Sequence, residues 1–207
     1  MRRAMEAHGL TIAVLALQGA FAEHAAMLAR LGVETFEVRN LGDWQRHKDG
    51  LILPGGESTS QTNLLGKLGL LQSIRQAILE GLPVLATCAG MILLARQEDG
   101  KPRCGLSTMD IDVCRNAYGR QLGSFQTSGD VGHGISDFPM TFIRAPYVRD
   151  TLAPSVEILS VVDGRTVGVR QGQQIALAFH PEVTSDVRIH SAFIEVCKKF
   201  HNEKGDV

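Results

Sequence analysis

The 207-residue chain has almost no net charge: 21 Lys and Arg against 22 Asp and Glu, or -1 at pH 7. No basic run offsets this locally, so nothing in it provides a field for gripping nucleic acid or an anionic membrane, and neither is expected as a partner. Long apolar runs are also missing. No stretch approaches the ~20 residues that span a bilayer, and Met1 to His8 lacks the apolar core of a signal peptide. A cytoplasmic location is expected. Cysteine is sparse, with four residues at 88, 104, 114 and 197 and no Cys-x-x-Cys spacing. Reduced thiols are therefore expected rather than a disulfide framework or a zinc site, and no metal is called for. Cys104 and Cys114 are the one pair whose bridging stays open. There is no internal repeat and no low-complexity linker. With 44% hydrophobic residues the chain can bury one core, which divides it into an extension (1–9), a single domain (10–202) and a tail (203–207).

What is present alternates. Thr11 to Leu17 is a nearly continuous apolar run, the pattern of a strand covered on both faces. Phe21, Ala25, Leu28 and Leu31 then follow at helical spacing, with Gly32 placed as a C-terminal cap. Val33 to Val38, Leu51 to Leu53 and Val84 to Ala86 read as further strands, and Leu70 to Leu79 as a helix. This order predicts an α/β three-layer sandwich, a mixed and mainly parallel central sheet flanked by helices, flavodoxin-like, with ligands at the carboxyl ends of the strands. In the second half, Met140 to Ile143, Val156 to Val162, Thr166 to Arg170 and Gln174 to Phe179 read as antiparallel hairpins appended to that sheet. Gln97 to Leu106, with two glycines and a proline, reads as an exposed loop. Val187 to Phe200 reads as a closing amphipathic helix.

Three strand ends carry chemistry. Ala86-Thr87-Cys88-Ala89-Gly90 has the small flanking residues that a sharp strand-to-helix turn demands of a nucleophile elbow. A helix N-terminus there favours thiolate. The plainer alternative is a buried core cysteine. His180-Pro181-Glu182 follows a strand, and extended backbone at this point would let Glu182 accept the Nδ1 proton of His180 and leave Nε2 to Cys88. Alone, it would read as a surface turn. Pro54-Gly55-Gly56-Glu57-Ser58-Thr59 lets backbone N–H groups approach a ligand, with Ser58 placed to cap the next helix. The N–H of Gly55 or Gly56, together with that of Ala89, would then form an oxyanion hole.

As a set, these loops resemble the class I, or triad, glutamine amidotransferases. Gln18-Gly19-Ala20 with Glu23-His24, the Pro54 to Thr59 loop, Arg115 to Gln121, Phe142 to Pro146 and Phe179 to Glu182 narrow the resemblance to the glutaminase subunits of pyridoxal 5′-phosphate synthase, over about residues 10 to 200. Ala86 stands where that family usually has glycine. The resemblance implies hydrolysis of L-glutamine to glutamate and ammonia by Cys88, His180 and Glu182. It assigns glutamine binding to Gly56, Glu57, Ser58, Arg115, Ile143 and Arg144, with no cofactor. It also implies a (β/α)₈-barrel synthase subunit as the partner that takes up the ammonia. Asp186, Arg188 and His190 match the family near the last helix and are read as a capping and packing cluster. His24 is read as structural or partner-facing. Another triad amidotransferase subunit, or a non-catalytic protein on the same fold, are the competing readings.

Overall fold

The computed structural model describes residues 9–115 and 123–205. Strand β1 (Thr11–Leu15) is followed by α1 (Phe21–Arg30), β2 (Glu34–Val38), a single turn α2 (Leu41–Trp44), β3 (Gly50–Leu53), α3 (Ser58–Lys67), α4 (Leu70–Leu79), β4 (Val84–Thr87) and α5 (Ala89–Leu94). Next come β5 (Ala95–Glu98), β6 (Lys101–Pro102), β7 (Met109–Cys114), β8 (Ser124–Gly129), β9 (Phe138–Ile143), β10 (Tyr147–Thr151), β11 (Glu157–Val162), β12 (Arg165–Gln171) and β13 (Gln174–Leu177). A 3₁₀ turn (Pro181–Val183) and α6 (Arg188–Gly205) complete the described residues.

The central sheet is mixed and runs β2-β1-β3-β4-β13-β12-β10-β7-β5-β6, with β11 added beside β12. Its first five strands are parallel. The apolar runs explain why: β3 and β4 are buried at every position, so they need helices on both faces. One group is α1 with α6, joined by a contact between His24 and His190. The other holds α3, α4 and α5. From β13 to β12 the direction reverses, and β11, β12 and β13 are antiparallel neighbours, as the turn signals at Asp163-Gly164 and Gln171-Gly172 predict.

Two expectations are corrected. The strand around Met140 to Ile143 is not appended to the central sheet; β9 pairs with β8 in a separate two-stranded ribbon, whose Phe142 stacks on Phe125 at 4.6 Å between ring centroids. Nor is Gln97 to Leu106 an open loop. Glu98 and Lys101 pair across a tight hairpin, and Leu106 is fully buried.

The catalytic candidates lie at the carboxyl ends of β3, β4 and β13. At the opposite end of β1 and β3, Asp49 is buried and accepts the Thr11 N–H at 2.8 Å, with His47 Nε2 at 3.1 Å and His201 Nδ1 at 2.7 Å. This clasp fastens the end of α6 to the sheet. Among the described residues it is also a histidine–carboxylate group close enough to share an ion, but Asp49 is already satisfied by its three donors.

Candidate active site

Cys88 sits where β4 turns into α5, with φ +48° and ψ -103°. A side chain rarely adopts a positive φ, and the strain persists because the surroundings fix it: the Cys88 N–H donates to Leu177 O of β13 at 2.7 Å. The flanks are small for a measurable reason. A Cβ on Gly90 would lie 2.1 Å from Leu53 O and 2.9 Å from its carbonyl carbon. Ala86 is fully enclosed in β4. The elbow expected from the sequence therefore forms, and its thiol is 7% exposed and unbridged. The other three cysteines are free as well.

His180 follows β13. Its Nδ1 is 2.7 Å from Glu182 Oε1, and both side chains are buried. The backbone route differs from the expected extended one. Pro181 opens a 3₁₀ turn, for which its fixed φ is suited, and the turn curls Glu182 back beneath the imidazole. Burial opposes a charge on His180, but hydrogen bonds with Cys88 and Glu182 outweigh it and push its pKa up to about 10. Burial likewise pushes the Glu182 carboxyl up, yet His24 and the hydrogen bond with His180 hold it below the ordinary value. The pair is thus an imidazolium resting on a carboxylate.

A cavity of about 310 Å³ opens in front of Cys88 and His180. Gly55, Gly56, Glu57, Ser58, Ala89, Arg115, Ile143 and Arg144 line it too, so every candidate residue except the buried Glu182 faces one space. Inside it, some assignments shift. The Gly55 N–H is donated to Thr87 Oγ1 at 3.0 Å and so does not point at a reacting carbonyl. Of the candidate oxyanion donors, that leaves the N–H groups of Gly56 and Ala89. The helix cap is Glu57, not Ser58: its carboxylate accepts the N–H groups of Thr59 and Ser60 at 3.0 and 2.7 Å. These bonds hold its pKa down to about 2. Ser58 is the first helical residue, and its buried Oγ has no hydrogen-bond partner among the described residues. Arg115 is engaged by Glu57 and Glu98 at 3.1 and 3.3 Å. Arg144 is exposed, with φ +45°, and among the described residues no ion pair occupies its guanidinium. The run from Asn116 to Gln121 lies outside the described residues.

The glycine loop is held from the side by Gln18 to Ala20. Gln18 Oε1 accepts the Glu57 N–H at 2.6 Å, and Gly55 O accepts the Ala20 N–H at 3.1 Å. A Cβ on Gly19 would lie 1.7 Å from Gly55 O. Sequence reading missed this clamp because the loops meet only in space.

It also underestimated His24. That side chain is fully buried, which excludes the partner-facing reading. His190 is equally buried, and burial, followed by the neighbouring His24, pushes its pKa down to about 3. This gives stability a pH dependence. Above pH 6.5 His190 is neutral whether folded or unfolded. Below it the unfolded chain takes a proton that the folded one refuses, so stability falls with pH by about 1.4 kcal/mol per unit down to the folded value. Urea denaturation at pH 7 and pH 5 should therefore show wild type losing about 2 kcal/mol more than His190→Gln; equal losses would contradict a neutral buried His190.

An α/β sheet with a strained cysteine elbow, a histidine–carboxylate pair and a glycine-rich loop converging on one cavity defines an enzyme of the triad cysteine-hydrolase type. Comparison with known proteins narrows the class: residues 14–199 match the model of the SNO glutamine amidotransferase family, and the chain belongs to that family. It is 53% identical over 188 residues to the "Pyridoxal 5'-phosphate synthase subunit PdxT" of Methanocorpusculum labreanum, covering 90% of this chain and 97% of the relative. It is 50% identical over 193 residues to the protein of the same name from Streptococcus pneumoniae serotype 2, covering 92% and 99%. Among solved structures, one titled "Crystal structure of glutamine amidotransferase" superposes with a TM-score of 0.84 at 42% identity, covering 90% of this chain and 98% of that one. No helix among the described residues is long and apolar enough to cross a membrane.

Proposed function

We propose that the chain, as one amidotransferase domain over residues 10–202, hydrolyses L-glutamine in the cytoplasm and passes the ammonia to a (β/α)₈-barrel subunit of pyridoxal 5′-phosphate synthase. The observation that carries the chemistry is the 2.7 Å pairing of His180 with Glu182 beside a cysteine held at φ +48°. The partner rests on the relatives' names.

Cys88 attacks the glutamine δ-carbon as a thiolate, its proton already resting on His180, and the carbonyl oxygen becomes an oxyanion held by the N–H groups of Gly56 and Ala89. His180 gives that proton to the leaving nitrogen, and ammonia departs as the thioester forms. It then accepts a proton from the water that attacks the thioester, and the thiolate–imidazolium pair is restored as glutamate leaves. Glu182 fixes the imidazole orientation throughout.

A free amino acid also brings an α-carboxylate, which suits a guanidinium. Arg144 has its guanidinium available and Arg115 does not, although Arg115, Ile143, Glu57 and Ser58 complete the walls. Arg144→Ala is expected to raise KM for glutamine about 10- to 100-fold with a smaller change in kcat. A change confined to kcat would remove Arg144 from substrate binding.

The purified chain is expected to release little glutamate alone and much more with its synthase subunit, because docking sets the oxyanion donors of the glycine loop. Glutamate assays with and without the synthase test this. Equal turnover in both would defeat the regulatory part, and no turnover in either, from folded protein, would defeat the glutaminase assignment.

A further inference from the structure

Behind the triad lies a second pair of histidines that the hydrolytic steps do not use. His24 of α1 and His190 of α6 are 166 residues apart in sequence, and their Nδ1 and Nε2 atoms are 3.0 Å apart. The other nitrogen of His24, Nε2, is 3.1 Å from Thr87 Oγ1 and 3.4 Å from Glu182 Oε2. Both rings are fully enclosed. Burying two histidines costs stability on the acid side, so the arrangement calls for a reason.

The proton positions follow from what each atom faces. Glu182 is a carboxylate with acceptor oxygens only, so His24 Nε2 must carry its hydrogen; a bare lone pair there would repel the carboxylate. Burial keeps His24 neutral, although Glu182 pulls the other way and His180 and Glu23 act as more distant charges. Its Nδ1 is therefore an acceptor, and His190 Nε2–H is the donor that fixes this tautomer. His190 Nδ1 is then unprotonated, which agrees with its having no hydrogen-bond partner among the described residues. The bonds thus point one way, from His190 to His24 and on to Thr87. Glu182 accepts the His180 N–H at Oε1, while its Oε2, which has no hydrogen-bond partner among the described residues, lies 3.4 Å from the same edge of His24, close enough for electrostatic attraction to the Nε2–H. Thr87, adjacent to the nucleophile, also accepts the Gly55 N–H.

We infer that His24, with its tautomer set by His190, is a positioning residue for the triad. It holds the Glu182 carboxylate ionised and rotated so that Oε1 meets His180, and through Thr87 it keeps the base of the glycine loop in register with the cysteine. Neither histidine touches substrate. The inference builds on the glutaminase reading but has a readout that needs neither glutamine nor synthase.

The test uses the full chain as His24→Leu, His190→Leu and His190→Gln. Gln retains an N–H donor for His24 and Leu does not. The first measurement is alkylation of Cys88 by iodoacetamide as a function of pH, followed by peptide mass spectrometry to separate it from the other thiols. The second is kcat and KM for glutamate release with the synthase. Both Leu variants are expected to move the alkylation profile and to lower kcat about 10- to 100-fold, with KM held within about threefold. His190→Gln is expected to stay near wild type in both. A folded His24→Leu with wild-type profile and kcat overturns the inference. If that variant does not fold, the His190 pair decides: equal behaviour of Gln and Leu overturns it, since packing alone would then explain the site. A wild type that alkylates normally but never releases glutamate defeats the glutaminase reading and leaves the alkylation comparison intact.

Discussion

Cys88→Ala is expected to reduce glutamate release in the presence of the synthase by at least about 10⁴-fold, because the thioester route then has no nucleophile. Within the cavity the sulfur interacts with His180 and lies 3.8 Å from Ile143 O, and Glu182 still holds the imidazole when the sulfur is gone, so its loss removes little that holds the fold. Alanine is no better suited than cysteine to φ +48°, and the backbone strain stays. The melting temperature should therefore remain close to that of wild type while activity disappears. Residual turnover above a few percent of wild type would mean that another residue attacks the amide.

Gly90→Ala should do the reverse, striking the fold first. The added carbon would be driven into the backbone carbonyl of Leu53, and no side-chain rotation relieves a backbone clash. Either α5 lifts from β3 or the end of β3 moves, and both carry the glycine loop and the cysteine with them. A cost of at least about 3 kcal/mol is expected, which for a chain of this size lowers the melting temperature by roughly 6–12 °C. Gly66→Ala is the matched control. Its Cβ would meet nothing within 4 Å, inside helix α3, so a change near zero or a gain of up to about 1 kcal/mol is expected. Similar melting temperatures for the two variants would refute the steric account of the elbow.

The readable parts of the chain were those in which local residues dictate local geometry. Small neighbours around Cys88 announce the turn because no larger side chain fits there. The continuous apolar runs of β1, β3 and β4 announce a covered parallel sheet. His180 and Glu182 were paired correctly, but by the wrong backbone: a proline two-step allows both an extended path and a 3₁₀ turn, and tertiary packing selects the second. Strand β7 carries a legible signal, since Met109, Ile111 and Val113 alternate with Asp110 and Asp112 at the period of a half-buried strand; what the sequence hides is how the aspartates are satisfied. In the fold Asp112 is paired with Arg149 and Asp110 with Arg96 at 2.6 Å, partners that no local window contains. Glu57 displaced Ser58 as the cap because the chain enters α3 one residue earlier than the serine suggests. The His24–His190 contact lay beyond any periodicity argument, since it joins the first helix to the last.

The way α6 is fastened divides the site by its place in the chain. Everything that lines the cavity is made by the ribosome before residue 181, yet the helix that brings His190 up behind Glu182 and clasps Asp49 through His201 is made afterwards. The surface that meets the ligand and the helix packed behind it thus come from opposite sides of residue 181, and the first helix reaches the last with strands β2 to β13 between them in the sequence.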